Sequence, residues 1–306
     1  MATESEVNSA NDLTVTVSAN YEWQHLREYA ISLAMSGFKG TKLMCARGLS
    51  TEAVRNFTGL GFRLEDFPVG QGTFFISRYA PVIDYIKKHL CQLRYIIWTD
   101  CRDVVFQSDP SVWLEKNMGS SGLLGCTLGV RIKDDGLETH WTSICVTPET
   151  LNWLKEEPAV CVGTIAGDAR TMLAVLTRIY DMGVELSGRR PDFSAGMDEG
   201  LFNYILRSTE FRNTMRIPSL QESFAAQCGY LMVPTFERPW DIGEDGLIRP
   251  KGISEPYTIV HQYDRDERWK SLVQSRYTDV HLQSLITHTM HDAYPVIRSL
   301  RWKGRG

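Results

Sequence analysis

The sequence predicts an α/β fold with a central, mostly parallel sheet, and three observations support this prediction. Up to Asp100, segments with strand patterning alternate with segments of helical periodicity, as is typical of a parallel sheet covered by helices on both faces. Beyond Pro110 the alternation gives way to a mixed pattern. The chain has 306 residues, of which 43% are hydrophobic, so one large domain or two small ones can bury a sizeable core.

The first hundred residues provide the alternating elements. Strands are expected where β-branched and apolar residues cluster, at residues 13–17, 42–46, 62–67 and 95–98. Helices are expected where apolar residues recur every three or four positions, at residues 23–34, 51–60 and 74–90. We interpret this part of the chain as a Rossmann-like, nucleotide-binding half of the sheet.

The remaining residues predict a second, smaller half fused to the same sheet. Strands are expected at residues 123–130, 141–146 and 257–260, and helices at residues 148–156, 169–182 and 198–207. The expected organisation is a disordered tail over 1–12, a single domain over 13–300 with halves 13–110 and 111–300, and a basic tail over 301–306.

The composition excludes some classes of protein. With 33 basic and 37 acidic residues and a net charge of −4, the chain does not look like a nucleic-acid binder. Seven scattered cysteines, without a Cys-x-x-Cys pair, argue against a zinc site or a disulfide framework. We expect no transmembrane segment and a cytoplasmic location, because no signal peptide or long apolar run is visible. The oligomeric state is left open.

The strongest local signal is a pair of carboxylates that follows an apolar strand. Asp100 and Asp103 lie in the segment Trp-Thr-Asp-Cys-Arg-Asp-Val-Val-Phe-Gln-Ser-Asp-Pro, which begins at Trp98. Side chains at the carboxyl ends of such strands face ligands, and paired carboxylates suit a divalent cation that bridges to a diphosphate. A charged turn, with Asp100 paired to Arg102 or capping a short helix, is the alternative interpretation.

Three further segments carry candidate site residues. Val160-Cys-Val-Gly-Thr-Ile-Ala-Gly-Asp168 places glycines among apolar residues, which indicates either close approach of the backbone to a ligand or a simple turn. Asp198 and Glu199 begin a helix, where carboxylates can also serve only as caps. His261 closes the last predicted strand, as a nitrogen ligand or as a core residue.

The order and spacing of these four segments resembles the glycosyltransferases of the GT-A fold. In that fold an acidic metal motif is followed by a Gly-containing acceptor strand, an Asp-Gln-x-x-x-Asn helix and a strand ending in His. The resemblance covers residues 13–265. Two departures are present, since the usual Asp-x-Asp is Asp-x-x-Asp here, and the usual Gln is Glu199.

The resemblance implies a metal-dependent enzyme that transfers a sugar from a nucleotide diphosphate donor, most often a UDP-sugar, to a glycan or small-molecule acceptor. It implies Mn²⁺ or Mg²⁺ as cofactor, bound by Asp103 and His261 with Asp100 in the first or second coordination shell. Donor-binding residues are then Asn20, Tyr21, Arg78, Asp100 and Arg102, acceptor-binding residues are Gly163 and Thr164, and catalytic residues are Asp198 and Glu199.

Within this set we expect Asp198, rather than Glu199, to be the catalytic carboxylate, with both side chains facing the ligand cleft. Two other classes are kept open. A nucleotidyltransferase that makes sugar nucleotides would need a Gly-rich loop after the first strand, where this chain has Ser-Ala-Asn-Tyr-Glu-Trp-Gln from Ser18. A non-catalytic sugar-binding protein would show no metal-dependent binding of a nucleotide sugar.

Overall fold

The computed structural model describes residues 9–67, 70–190, 196–232 and 237–286. The strands are β1 (Leu13–Ala19), β2 (Thr41–Arg47), β3 (Phe62–Asp66), β4 (Tyr95–Thr99), β5 (Val104–Phe106), β6 (Leu123–Arg131), β7 (Pro158–Asp168), β8 (Met215–Arg216), β9 (Ala225–Gln227), β10 (Trp240–Ile242), β11 (Ile248–Pro250) and β12 (Ile259–His261). The helices are α1 (Trp23–Met35), α2 (Thr51–Gly59), α3 (Phe74–Ser77), α4 (Tyr79–His89), α5 (Pro110–Asn117), α6 (Gly136–Cys145), α7 (Pro148–Leu154), α8 (Ala169–Arg189), α9 (Met197–Leu206) and α10 (Glu267–Arg276).

A seven-stranded sheet forms the centre of the part of the chain that the structure describes. Its strand order is β3-β2-β1-β4-β7-β6-β8. The pairings β3–β2, β2–β1, β1–β4 and β6–β8 are parallel, whereas β7 runs antiparallel to both β4 and β6. The predicted α/β class with a mixed, mostly parallel sheet is therefore confirmed.

A smaller sheet brings the end of the chain beside the acidic motif. Its strand order is β5-β12-β9, and β12 pairs His261 with Val104 on one side and with Gln227 on the other. Because β5 begins directly after Asp103, this pairing carries His261 to the end of β4. Residues separated by about 160 positions in sequence thus meet at one edge of the main sheet.

Two apolar clusters pack against opposite faces of the main sheet. One contains the α1 and α2 side chains, and the other contains α4, α8 and α9. Within the second cluster the buried Trp98 ring stacks on Tyr79, with ring centroids 4.8 Å apart and planes 10° apart. The second cluster extends from Leu13 to Phe211, so residues from both predicted halves share one core.

Several predicted elements differ from the structure. Residues 141–146, predicted as a strand, lie mostly in α6, because the Asp135 carboxylate caps a helix by accepting from the Leu137 and Glu138 amides. The predicted helix over 74–90 is divided at Arg78, and the predicted strand over 257–260 is the shorter β12.

Residues 9–12, part of the expected disordered tail, are ordered. Residues 9–11 form a 3-10 turn, and Asp12 is fully buried. The Asp12 carboxylate accepts hydrogen bonds from Arg94, with Nη2 at 2.8 Å from Oδ2, and from the Tyr95 amide at 3.2 Å. Residues 1–8 and the basic tail over 301–306 lie outside the described residues. Among the helices that are described, none combines the length and the apolar character needed to cross a bilayer.

Candidate active site

The acidic motif lies where β4 ends, as predicted. Asp100 follows the last residue of β4, and its backbone amide donates a hydrogen bond to the Gly163 carbonyl at 2.9 Å. Asp103 precedes β5 and is 6% exposed. Burial raises the pKa of Asp103, and the nearby Asp100 carboxylate adds to this rise, while His261 and Arg102 oppose it.

Each carboxylate of the motif divides its two oxygens between an arginine and the histidine. Asp100 Oδ1 lies 2.8 Å from Arg78 Nη1, and Asp103 Oδ2 lies 2.9 Å from Arg102 Nη2. The two remaining oxygens face the imidazole, since His261 Nε2 lies 3.7 Å from Asp100 Oδ2 and 3.6 Å from Asp103 Oδ1. Asp100 is thus paired with Arg78, whereas the charged-turn interpretation paired it with Arg102.

A buried amide fixes the orientation of His261. Gln227 Oε1 lies 2.8 Å from His261 Nδ1, and Gln227 Nε2 donates to Thr164 Oγ1. Because the amide nitrogen is used by Thr164, the amide oxygen accepts the Nδ1 proton, and in the neutral imidazole this places the lone pair on Nε2. Thr164 is fully buried and so acts through Gln227, whereas the sequence predicted contact with an acceptor.

Gly163, the first glycine of β7, is required by close packing. A Cβ atom at Gly163 would lie 2.5 Å from His261 Cε1 and 2.9 Å from Asp100 Oδ2. Any side chain at this position would therefore enter the space between the carboxylate and the imidazole. Of the two interpretations of this segment, the structure supports close approach of the backbone, within a continuous strand rather than a turn.

The residue types around His261 Nε2 fit a divalent cation. Two carboxylate oxygens and an imidazole lone pair converge there, and oxygen and nitrogen donors of this kind are the ligands that Mn²⁺ and Mg²⁺ use. In the described part of the chain, no three His, Cys, Asp or Glu side chains are assembled as a complete metal-binding group. The predicted assignment of Asp100, Asp103 and His261 therefore stays a prediction.

On one side of this cluster lies a cavity of about 230 Å³ that is rich in arginine. Its charged lining consists of Arg78, Arg102, Arg265, Asp100 and Asp103. The remaining lining residues are Val17, Tyr21, Phe74, Phe75, Cys101, His261 and Gln262. We call it the arginine cavity. It brings together all the predicted donor-binding residues except Asn20.

Asn20 has a backbone role instead. It has a left-handed conformation, with φ of 58°, and its amide donates to the Arg47 carbonyl at 2.8 Å. Its side-chain oxygen lies 2.4 Å from where a Cβ of Gly48 would be, and Gly48 has a φ of 70°, so both the contact and the backbone conformation favour glycine at position 48. Asn20 thus shapes the turn after β1 that presents Tyr21 to the arginine cavity.

Asp198 is buried behind Arg78. Its Oδ2 atom lies 2.7 Å from Arg78 Nη2 and accepts a hydrogen bond from the Tyr79 hydroxyl at 3.0 Å. Asp198 is 2% exposed and lines neither the arginine cavity nor the second cavity described below. The sequence predicted instead that it faces the ligand cleft. Burial raises its pKa, and the Arg78 guanidinium opposes that rise.

On the other side of the cluster lies a cavity of about 280 Å³ that is rich in carboxylates. Its lining consists of Asp100, Leu128, Asp135, Leu137, Glu138, Trp141, Cys161, Glu199, Gly229, Tyr230, His261 and Gln262. We call it the acidic cavity. It shares Asp100, His261 and Gln262 with the arginine cavity, so the two cavities adjoin at the Asp100–His261 pair.

Glu199 and Glu138 form a buried carboxyl pair in the acidic cavity. Burial raises the pKa of both groups, with Asp135 adding to the rise for Glu138 and Glu138 adding to that for Glu199. The contact between them lowers the pKa of Glu138 and raises that of Glu199, as in a carboxyl pair that titrates as a unit. The structure thus separates the two predicted catalytic residues, with Glu199 in a cavity and Asp198 behind Arg78.

Some site residues were not predicted from the sequence. Gln262 has a left-handed backbone, with φ of 61°, and lines both cavities. It lies in the Val-His-Gln-Tyr-Asp-Arg segment, where a turn directly after a strand was the available signal. Gln227 and Glu138 carry no local sequence signal. They reach the site through contacts between elements that are far apart in the sequence, such as the pairing of β9 with β12 for Gln227.

Comparison with known proteins establishes the fold. No protein-family model and no curated protein sequence matches the chain. A solved structure of an active-site mutant of LgtC matches with a TM-score of 0.50 and 13% identity, over 85% of this chain and 95% of that chain. The galactosyltransferase LgtC in complex with donor and acceptor sugar analogs matches with a TM-score of 0.50 and 12% identity, over 86% and 96%. The chain therefore has the GT-A glycosyltransferase fold that its motifs resemble.

Proposed function

We propose that the protein is a glycosyltransferase that moves a sugar from a nucleotide diphosphate donor, most simply a UDP-sugar, onto an acceptor. One observation carries this proposal, namely that two cavities of opposite charge adjoin at Asp100 and His261, at the carboxyl end of β4. Ligands of open α/β sheets bind at such strand ends. The LgtC structure with this fold holds donor and acceptor sugar analogs, which supports two adjoining substrate sites.

The arginine cavity suits the nucleotide diphosphate. Arg78, Arg102 and Arg265 supply positive charge, and guanidinium groups bind phosphate oxygens through paired hydrogen bonds. Tyr21 lies at the cavity wall, where its ring is available to stack on a nucleotide base. These guanidinium groups would stabilise the negative charge that develops on the departing diphosphate. Electrostatic stabilisation of this kind is usually the largest contribution to lowering an activation barrier.

A divalent cation, Mn²⁺ or Mg²⁺, would be held by the free oxygens of Asp100 and Asp103 and by His261 Nε2. When bound, such a cation acts as a Lewis acid that neutralises charge on the diphosphate oxygens. Gln227 and Thr164 hold the imidazole in the tautomer that ligation requires. Arg102 and Arg265 hold Asp103, with Nη2 of Arg265 at 3.4 Å from Oδ2.

The carboxylates of α9 have different roles in this proposal. Asp198 positions Arg78, because its carboxylate binds the Nη2 nitrogen while Nη1 binds Asp100. Glu199, on the acceptor side, orients acceptor hydroxyl groups through its carboxyl group. The preference for Asp198 as the catalytic carboxylate is therefore replaced by a positioning role, and Glu199 is the residue placed to contact the acceptor.

A panel of nucleotide sugars tests the proposal by thermal unfolding with Mn²⁺ or with a chelator. A donor at a hundred times its dissociation constant stabilises a protein by about 2.7 kcal/mol, which a thermal shift easily detects. We expect one nucleotide sugar to stabilise the protein only when Mn²⁺ is present. Stabilisation by nucleoside triphosphates alone would favour a nucleotidyltransferase, and no stabilisation by any nucleotide sugar would refute the proposal.

A further inference from the structure

The charges of the two adjoining cavities differ in a way that the transfer reaction alone does not require. The arginine cavity holds three guanidinium groups. Among the described residues that line the acidic cavity there is neither a lysine nor an arginine, and four carboxyl groups are present, those of Asp100, Asp135, Glu138 and Glu199. The hydroxyl groups of a neutral acceptor need both hydrogen-bond donors and hydrogen-bond acceptors, whereas the charged side chains of this lining are mainly carboxyl groups.

One carboxylate oxygen in this lining lacks a partner. Glu138 is 3% exposed, and its Oε2 atom makes no hydrogen bond in the described structure. A buried oxygen without a partner is costly, and the cost is larger for a charged group. The neighbouring Asp135 carboxylate is fully used, since Oδ1 caps α6 and Oδ2 accepts a hydrogen bond from the Tyr230 hydroxyl.

Apolar and aromatic groups complete the cavity. The Trp141 ring lies against the start of α9, where a Cβ at Gly196 would come within 2.2 Å of it, so glycine is needed to admit the ring. Tyr230 and Leu137 contribute further to the wall. Aromatic faces of this kind pack against the apolar face of a sugar ring or against a cation.

We propose that the acceptor is an amino sugar, or an amino-bearing glycan, whose ammonium group donates a hydrogen bond to Glu138 Oε2. This inference rests on the proposed glycosyl transfer and names the chemical class of its acceptor. The ammonium group supplies the cation that the lining lacks, and the ring packs on Trp141. The departure at Glu199, where the resembling enzymes have Gln, adds a carboxyl group on the same side.

Binding of matched monosaccharides tests this inference without requiring turnover. The probes are D-glucosamine and 6-amino-6-deoxy-D-glucose, compared with D-glucose and N-acetyl-D-glucosamine, by ligand-observed NMR at neutral pH with and without UDP and Mn²⁺. We expect at least one amine to bind about tenfold or more tightly than its neutral counterparts, as charged hydrogen bonds to a buried group allow. In Glu138→Gln this preference should fall to about one.

The matched control is Glu149→Gln, which removes an exposed carboxylate from α7 outside the cavity and should keep the preference. Equal or weaker binding of the amines by the wild-type protein, or no binding of any amine, overturns the inference, and the wild-type comparison suffices if Glu138→Gln fails to fold. Donor binding is measured separately, so failure of the proposed transfer function appears as loss of nucleotide-sugar binding rather than as loss of amine preference.

Discussion

At the scale of single residues, the two carboxylates of the acidic motif are each divided between an arginine and a histidine. Arg78 and Arg102 hold one oxygen of Asp100 and of Asp103, and the other oxygens face His261. A carboxylate fixed in this way presents its free oxygen in a defined direction, which suits both cation binding and recognition of a phosphate.

Asp198→Asn tests whether that carboxylate positions Arg78. The change leaves the buried guanidinium with a weaker, neutral partner, so we expect the free energy of unfolding to fall by about 2–4 kcal/mol. Turnover should also fall, since Arg78 reaches the donor side. Urea unfolding measures the first effect. Asp109→Asn, at the N-cap of α5, is the control, because Asn caps a helix as well as Asp does. Equal stability of both variants would contradict the positioning role.

Glu138→Gln should change the pH dependence of stability. Burial raises the pKa of Glu138 from 4.5 to about 7, so between these values the folded protein keeps a proton that the unfolded chain has lost. Wild-type stability therefore falls as pH rises through this window, and the variant avoids that loss. We expect the variant's unfolding free energy, relative to wild type, to increase by about 2–3 kcal/mol between pH of about 4 and about 8. A difference independent of pH would contradict the assignment.

At the scale of elements, the strands and helices of the first half follow from local pattern. The strands β1, β2 and β4 have buried, apolar centres, and the helices between them each show one apolar face, so most elements of this half were predictable. The edge strand β3 is mostly polar and only its first residue is buried. The prediction over 141–146 was wrong because the apolar run belongs to one face of α6. Its cap, Asp135, lies six residues before that run and was not used as a helix signal.

Gly163→Ala tests the packing of β7 against the candidate centre. The added methyl group would lie 2.5 Å from His261 Cε1, so the imidazole or the strand must shift. We expect a loss of about 1–3 kcal/mol in unfolding free energy, together with at least tenfold weaker metal-dependent donor binding. Gly188→Ala, in α8 with open space around it, should leave binding unchanged and stabilise the helix by at most about 1 kcal/mol. Calorimetric titration with the donor and Mn²⁺ compares the two variants, and only Gly163→Ala should bind more weakly. Wild-type affinity in Gly163→Ala would contradict this packing.

At the scale of the whole molecule, the site is built by pairings that the sequence pattern does not contain. His261 reaches Asp103 because β12 pairs with β5, and Gln227 reaches His261 because β9 pairs with β12. Sequence patterns identify Asp100, Asp103 and His261 as strand-end residues, since local periodicity shows where a strand ends. Sequence patterns do not show which side chains pair with these residues. Arg78, for example, binds both Asp100 and the buried Asp198, and the second contact depends on how α9 packs in the finished fold.

The proposed function places a donor and an acceptor on opposite sides of one boundary. The arginine cavity and the acidic cavity adjoin only at Asp100, His261 and Gln262, so a donor and an acceptor placed in them would meet there. Residues from β4, β7 and β12 converge at this boundary. This boundary is thus the proposed place of glycosyl transfer.

Release of nucleotide from a panel of nucleotide sugars, with Mn²⁺ and an amino-sugar or neutral acceptor, tests that claim most directly. We expect at least one UDP-sugar to be turned over by the wild-type protein and by Asp109→Asn. Asp103→Asn should reduce turnover by about a hundredfold or more, because the carboxylate that would hold the divalent cation is replaced by a neutral amide. Equal turnover by Asp103→Asn and wild type, or no release from any donor in the panel, would contradict glycosyl transfer at this boundary.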